Sequence, residues 1–275
     1  MTLSSVVLNV ASLTDTGLKR AANEDSVLAA SPVFLVADGM GGHEAGDRAS
    51  AAVVAAFEPL RGAEVGVADV RAALDRAAAV VEGIAAEHRQ GAGSTVSGVA
   101  LVEHEGLPHW LVFNVGDSRV YRHLNNELVQ LTVDHSLGQE LVDAGEMRAE
   151  DLPGFAQRNI ITRAIGAADS AADSWLLPVL DGERLLLCSD GLSGEVSDEA
   201  IRATLTMCGR PESAASALVR RALQAGGRDN VSVVVIDVVA GGLRPGRDDD
   251  TAGRLAVSVG TETMLEGTTI PVRAR

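Results

Sequence analysis

The sequence predicts an α+β domain in which antiparallel sheets are covered by helices. Three observations point that way. Short β-branched runs recur along the chain, two helical stripes follow one another with no strand between them, and an Asn-Asn pair joins two strand-like segments. Consecutive helices break the alternation of a parallel βαβ chain, and a tight turn between strands imposes antiparallel pairing.

Val6–Val10 and Val27–Val36 are apolar, β-branched and short enough for strands. From Ala49 the period changes: Ala49, Ala52, Val53, Ala56, Phe57 and Leu60 share one helical face. Val70, Ala73, Leu74, Ala77, Val81, Ile84 and Ala85 form a second stripe, with Gly62 in the gap between the two. Strand patterns return at Thr95–Val102 and Trp110–Val115. Arg119–Leu124 and Glu127–Leu131 flank Asn125-Asn126, residues that tolerate positive φ and suit a hairpin. The polar stretch Ser136–Gly166 holds one short helical segment near Leu137–Ala144. Leu176–Leu180 and Leu185–Cys188 read as buried strands, Pro211–Ala225 as a helix packed through Ala215, Leu218, Val219 and Ala222, and Val231–Val239 as the last strand. One domain is expected over residues 1–240, followed by a flexible tail over 241–275 rich in Thr and Gly.

Of the 275 residues, 38 are acidic and 23 are Lys or Arg, a net charge of −15. Such a mean field repels nucleic acid and anionic lipid, so neither is an expected partner. No segment approaches the roughly 18 uninterrupted apolar residues of a membrane span, and MTLSSVVLNV lacks the basic and apolar regions of a secretion signal. A cytoplasmic monomer is expected. Cys188 and Cys208 make no disulfide framework, and the clustering a zinc site requires is absent from the sequence.

Acidic residues beside glycine or a turn recur at the edges of the strand-like segments: Asn23-Glu24-Asp25, Asp38-Gly39, Gly116-Asp117, Asp190-Gly191 and Asp229-Asn230. Glycine lets the backbone turn sharply while a short carboxylate projects from a rigid sheet. Two carboxylates ~4 Å apart repel by roughly 4 kcal/mol at an effective dielectric of 20, so a cluster calls for a cation or for protons. Oxygen ligands favour Mg²⁺ and Mn²⁺ over zinc. Singly, each pair is also an ordinary turn dipeptide.

Seven stretches in order carry a family resemblance: Gly17–Asp25 (GLKRAANED), Val36–His43 (VADGMGGH), Asn114–Arg119 (NVGDSR), Leu131–Ser136 (LTVDHS), Asn159–Gly166 (NIITRAIG), Leu187–Leu192 (LCSDGL) and Arg228–Ser232 (RDNVS). Together they resemble the metal-dependent type 2C (PPM) Ser/Thr protein phosphatases in their bacterial form, over roughly residues 10–238. The resemblance implies a four-layer α-β-β-α sandwich of two antiparallel sheets flanked by helix pairs, with a binuclear Mn²⁺ or Mg²⁺ centre at one end. It assigns Asp38 as the bridge between two ions, the Gly39 carbonyl as a further ligand, Asp190 and Asp229 as ligands of the other ion, and Glu24 as acting through water. Asp117 resembles the ligand of a third, weaker site. Arg20 matches the arginine that grips substrate phosphate, where a planar fork meets two oxygens at once. Asn230 is expected to orient the Asp229 ligand.

The implied reaction is hydrolysis of phosphoserine or phosphothreonine, with a hydroxide bridging the two ions attacking phosphorus in line. Met40 stands where many eukaryotic relatives have the histidine assigned as general acid. His43 and metal-bound water are then the two proton sources to weigh. Residues 136–165 correspond to the variable flap, which departs from the family at Leu152–Gln157, where a histidine-proline pair is common. Asp134-His135-Ser136 is expected to tether a turn through side-chain to backbone bonds. The implied partners are phosphorylated proteins, in opposition to Ser/Thr kinases. Two alternatives accompany this reading: a catalytically idle phosphoprotein-binding regulator, and a phosphatase of an anti-sigma antagonist. The tail threonines Thr251, Thr261, Thr263, Thr268 and Thr269 read most simply as solvated chain. Phosphorylation of Thr263 or Thr268 by a partner kinase, read by a phosphothreonine-binding module, is the sharper reading.

Overall fold

The structure, a computed structural model, describes residues 6–41, 44–245 and 257–258. His43 and the tail threonines lie outside the described residues, as does most of 241–275.

In chain order the strands are β1 (Val7–Asp15), β2 (Asp25–Ala30), β3 (Val33–Gly41), β4 (Ala92–Ser94), β5 (Val96–His104), β6 (Leu107–Val115), β7 (Arg119–Leu124), β8 (Glu127–Gln130), β9 (Asp173–Pro178), β10 (Arg184–Cys188), β11 (Val231–Ala240) and β12 (Val257–Ser258). The helices are α1 (Ala45–Phe57), α2 (Val67–Glu87), α3 (Leu137–Asp143), α4 (Asp190–Ser193), α5 (Asp198–Met207) and α6 (Pro211–Ala225). One sheet runs β1-β11-β10-β7-β8 and the other β12-β9-β6-β5-β3-β2, with β4 paired to β3. Every pairing between these strands is antiparallel.

The period of two along the strands sorts the core into three slabs. Phe34 and Val36 of β3 point between the sheets, where they pack with Val120, Leu185, Leu187, Val234 and Ile236 of the opposite sheet. Leu35 and Ala37 point the other way, beneath Val53 and Phe57 of α1 and Ala73 and Val81 of α2. On the far side, Leu186, Val233 and Val235 pack under Ile201 and Leu205 of α5 and Leu218 and Val219 of α6. Three slabs separate four layers, so the α-β-β-α sandwich holds.

Two expectations change. Val27–Val36 is a hairpin and not one strand: Ser31-Pro32, joined by a cis peptide, turns the chain between β2 and β3. Asp38-Gly39 does not end its strand either. β3 continues to Gly41 by exchanging its partner β5 for β4, with Gly39 opposite Ser94. The Asn125-Asn126 hairpin stands as expected, with φ of 51° and 67°. Among the described residues no helix is long and apolar enough to cross a membrane.

The segment over residues 136–165 is pinned at its base. Ser136 bridges Ile161, Ser94 and Ile165 exchange backbone hydrogen bonds of 2.8 and 3.1 Å, and Ser94 Oγ donates to the Asp38 carbonyl at 3.2 Å. The segment therefore starts and ends beside the strand that carries Asp38.

Candidate metal centre

At one end of the sandwich the strand termini bring distant acids together. Asp25, at the start of β2, lies opposite Asp38 in the β2–β3 ladder. Asp190 opens α4 directly beyond β10, Asp117 follows β6, and Asp229 precedes β11. Bonds across the end tie the two sheets: Ser189 Oγ donates to Asp25 Oδ2 at 2.8 Å and accepts from the Ser232 amide at 3.0 Å. The Asp38 amide donates to Thr95 Oγ1 at 3.0 Å, and Thr95 Oγ1 meets Ser118 Oγ at 2.7 Å beside Asp117. Asn114 holds the Asp117 turn by donating to the carbonyls of Gly116 and Val133, while its own oxygen accepts from Ser97.

Glycine makes the close approach feasible. A Cβ on Gly39 would stand 2.0 Å from the Gly46 carbonyl and 2.7 Å from the Glu24 carbonyl. One on Gly46 would stand 2.8 Å from Glu24 Oε1, so the Glu24 carboxylate lies against the first turn of α1, where the helix dipole favours it.

The electrostatics follow from this crowding. Asp38 keeps some contact with solvent, yet burial of its carboxylate and then the charges of Asp25, Asp190, Asp117 and Asp229 push its pKa well above the ordinary value. Burial, with Asp190 and Asp134, does the same to Asp117 against the opposing pull of Arg119. Asp25 and Asp190 are each pushed up to about 6, chiefly by burial. Arg20 is the cation at the mouth: Nη2 donates to Asp229 Oδ2 at 2.6 Å, and the charges of Asp229, Glu24 and Asp38 all act on it. Its side chain is 48% exposed, so solutes can reach the guanidinium.

An all-oxygen set that resists ionisation is chemically suited to a hard divalent cation. Asp190 Oδ1 and Asp25 Oδ1 are buried acceptors that no hydrogen-bond donor meets, as expected of oxygens placed for an ion. Among the described residues no three acid, histidine or cysteine side chains close a finished ligand shell.

These raised values carry a sign. A carboxyl titrating near 6 when folded and ~3.9 when unfolded favours the fold below pH ~4, and that contribution is lost as pH rises through 6. Chelated protein should therefore melt at a lower temperature at pH 7.5 than at pH 5, and excess Mn²⁺ should close most of the gap. Glu183, buried at the opposite end of β10 and pushed up to about 7, leaves a residue of pH dependence that manganese does not remove. Calorimetric melts at both pH values, with EDTA and with Mn²⁺, check this; a gap that ignores manganese rules out the cluster as its source.

The sequence signature described as protein phosphatase 2C matches residues 20–225, three-quarters of the chain. This chain belongs to the protein phosphatase 2C family. It is 42% identical over 244 residues to the serine/threonine protein phosphatase PstP of Mycobacterium tuberculosis, covering 86% of this chain and 46% of that protein. The chain thus spans about half the length of that curated relative. Protein phosphatase PhpP of Streptococcus pneumoniae is 33% identical over 252 residues, covering 84% of this chain and 98% of that protein. The crystal structure of PstP/Ppp from M. tuberculosis superposes with a TM-score of 0.80 at 36% identity, covering 86% of this chain and all of that one. A PstP catalytic-domain structure solved with two manganese ions gives 0.77 at 36% identity and the same coverage.

Within this 2C-type fold Arg20, Glu24, Asp38, Gly39, Asp117, Asp190 and Asp229 all fall at one end. Asp25, marked in the sequence only as part of the Asn23-Glu24-Asp25 triplet and given no role there, joins the cluster, and Ser189, which carries no sequence signal of its own, is its donor. Two other expectations are revised. Asp134 does not tether a turn: it forms a two-pronged ion pair with Arg119, Nε–Oδ1 3.0 Å and Nη2–Oδ2 2.6 Å. His135 and Ser136 do serve local structure, by accepting from the Gly116 amide and by capping α3. The Asn230 backbone amide donates to Asp229 Oδ1 at 2.8 Å, while its side chain turns to the loop before β2. Cys188 is buried beneath the sheet with its thiol pushed up to about 12, inert by environment.

Proposed function

We propose that this chain is a cytoplasmic, Mn²⁺- or Mg²⁺-dependent phosphatase of phosphoserine and phosphothreonine in proteins, opposing Ser/Thr kinases. The observation that carries the reading is Arg20 held against Asp229 and facing Glu24 and Asp38, a phosphate-binding fork at the edge of a carboxylate cluster. The catalytic domain spans residues 1–240. Asp38, the Gly39 carbonyl, Asp190 and Asp229 would hold two ions, with Glu24 acting through water, and Asp117 would hold a third, weaker one. Bound there, divalent ions supply Lewis-acid charge and a nucleophile at neutral pH.

The chain's own residues do the rest. Arg20 releases Asp229 to take two phosphoryl oxygens, so charge on the transferring group meets a preorganised cation. Glu24, held against α1, accepts hydrogen bonds from water on the attacking side. The leaving alkoxide takes its proton from His43 or from water. The flap over residues 136–165 shapes the ground on which the phosphoprotein lies.

Turnover of a phosphothreonyl peptide, present with Mn²⁺ and removed by EDTA, tests this reading. Arg20→Ala should raise KM about tenfold or more while leaving Mn²⁺ affinity within about threefold. Binding of the phosphopeptide without turnover in Mn²⁺ would support the idle-regulator alternative instead.

A further inference from the structure

The amide of Asn230 is buried and spends its hydrogen bonds on a single loop. Nδ2 donates to the carbonyls of Thr16 and Ala22, each at 2.9 Å, and Oδ1 accepts from the Glu24 amide at 2.8 Å. The loop is therefore gripped at its beginning and at two points near its end. The same turn adds a bond from the Leu18 amide to the Gly227 carbonyl at 2.7 Å. Gly17, at φ +77°, lies so near that a Cβ there would stand 2.2 Å from the Asp229 carbonyl. Arg20 sits between Thr16 and Ala22, at the part of the loop this clamp suspends over Asp229.

We propose that Asn230 is a positioning residue whose side chain docks the Arg20–Glu24 loop on the Asp229 turn and so sets the affinity of the site for phosphate. The inference rests on the phosphatase reading above. An arginine side chain is long and flexible, so its grip depends on where the backbone holds it. The contact that orients Asp229 runs through the Asn230 backbone amide, which survives any ordinary substitution at this position. Side-chain variants consequently separate docking of the loop, which carries Arg20 and the backbone of Glu24, from support of the Asp229 ligand.

The test uses Asn230→Ala and Asn230→Asp in the full chain. The first removes all three bonds. The second keeps an oxygen for the Glu24 amide but sets another against the Thr16 and Ala22 carbonyls. In both, KM for a phosphothreonyl peptide and the inhibition constant of inorganic phosphate should rise together by about tenfold, the size of one net hydrogen bond to a well-placed group. Turnover number and calorimetric Mn²⁺ affinity should stay within about threefold, and the Leu18 and Glu24 amides should exchange faster with deuterium. Mn²⁺ affinity falling in step with the rise in KM would overturn the proposal, because the side chain would then serve the metal ligand. So would unchanged KM and phosphate inhibition. If the wild-type chain shows no turnover, the phosphatase reading fails, and amide exchange with calorimetric phosphate binding still decides the docking role. Should Asn230→Ala not fold, Asn230→Asp carries the same measurements.

Discussion

Asp38→Asn should lower turnover with Mn²⁺ by about a thousandfold, the upper range for removing one preorganised charge-stabilising group. It should at the same time raise the melting temperature of the chelated protein. Asp38 is the residue on which the cluster centres: Asp25, Asp190, Asp117 and Asp229 all push on its charge, and its amide and carbonyl are already fixed by Thr95 and Ser94. A neutral amide of the same shape relieves that repulsion. The gain is on the order of 1 kcal/mol, or about 2–4 °C for a chain of this size. Opposite movement of stability and activity identifies a functional residue, because a core residue loses both. Steady-state kinetics and calorimetry on one preparation check the pair of effects. Turnover within tenfold of wild type, or a lower melting temperature under EDTA, would remove Asp38 from the centre.

Much of the architecture is legible in the sequence where punctuation and period agree. α6 begins at Pro211, whose missing N–H costs nothing in a first turn, and ends before Gly226 at φ +152°. Its stripe of Ala215, Leu218, Val219 and Ala222 is the face buried on the sheet. Where local patterns blur, the elements hide. α5 carries Ser197 as its cap and Asp198 and Glu199 in its first turn, but buried Thr204 interrupts the apolar face that would have revealed it. β4 is three small residues, Ala92–Ser94, and becomes a strand only because β3 runs beside it. The β2–β3 hairpin is masked because both strands are apolar enough to read as one run.

The candidate site divides along the same line. An acid beside glycine or a turn is a local signal, so Glu24, Asp38, Asp117, Asp190 and Asp229 stand out in the sequence, and family order adds Arg20 and the role of each. Asp25 acquires its place only from register, which sets it opposite Asp38. The Asn230 clamp spans more than 200 positions to Thr16, Ala22 and Glu24, a distance over which no spacing rule operates. Chemistry carried by single residues is readable one residue at a time; positioning carried by pairs waits for the fold.

The largest loss of stability should come from such a pair. Arg119 and Asp134 meet through two prongs, with side chains 22% and 10% exposed, two residues from Asp117. Gln130 Nε2 also donates to Asp134 Oδ1 at 2.9 Å. Arg119 Nη1 reaches Tyr121 OH at 2.9 Å, which in turn donates to Asp198 Oδ1 at 3.1 Å. Asp134→Ala would strand a guanidinium and an amide in a mostly dry frame, at a cost of about 3–5 kcal/mol, or on the order of 10 °C. Replacing both partners with apolar groups, as in Arg119→Met with Asp134→Leu, should recover most of that loss, since the penalty lies in the unpaired charge and less in the missing bridge. Breaking the exposed Arg61–Glu58 pair by Glu58→Ala should change nothing measurable, because water already solvates both ends. Denaturant melts of the wild type, Arg119→Met, Asp134→Leu and their double variant form a cycle, with Asp134→Ala measured beside them. A double variant as unstable as Asp134→Ala would mean that the network holds the Asp117 turn by its geometry, and that desolvated charge is the lesser part.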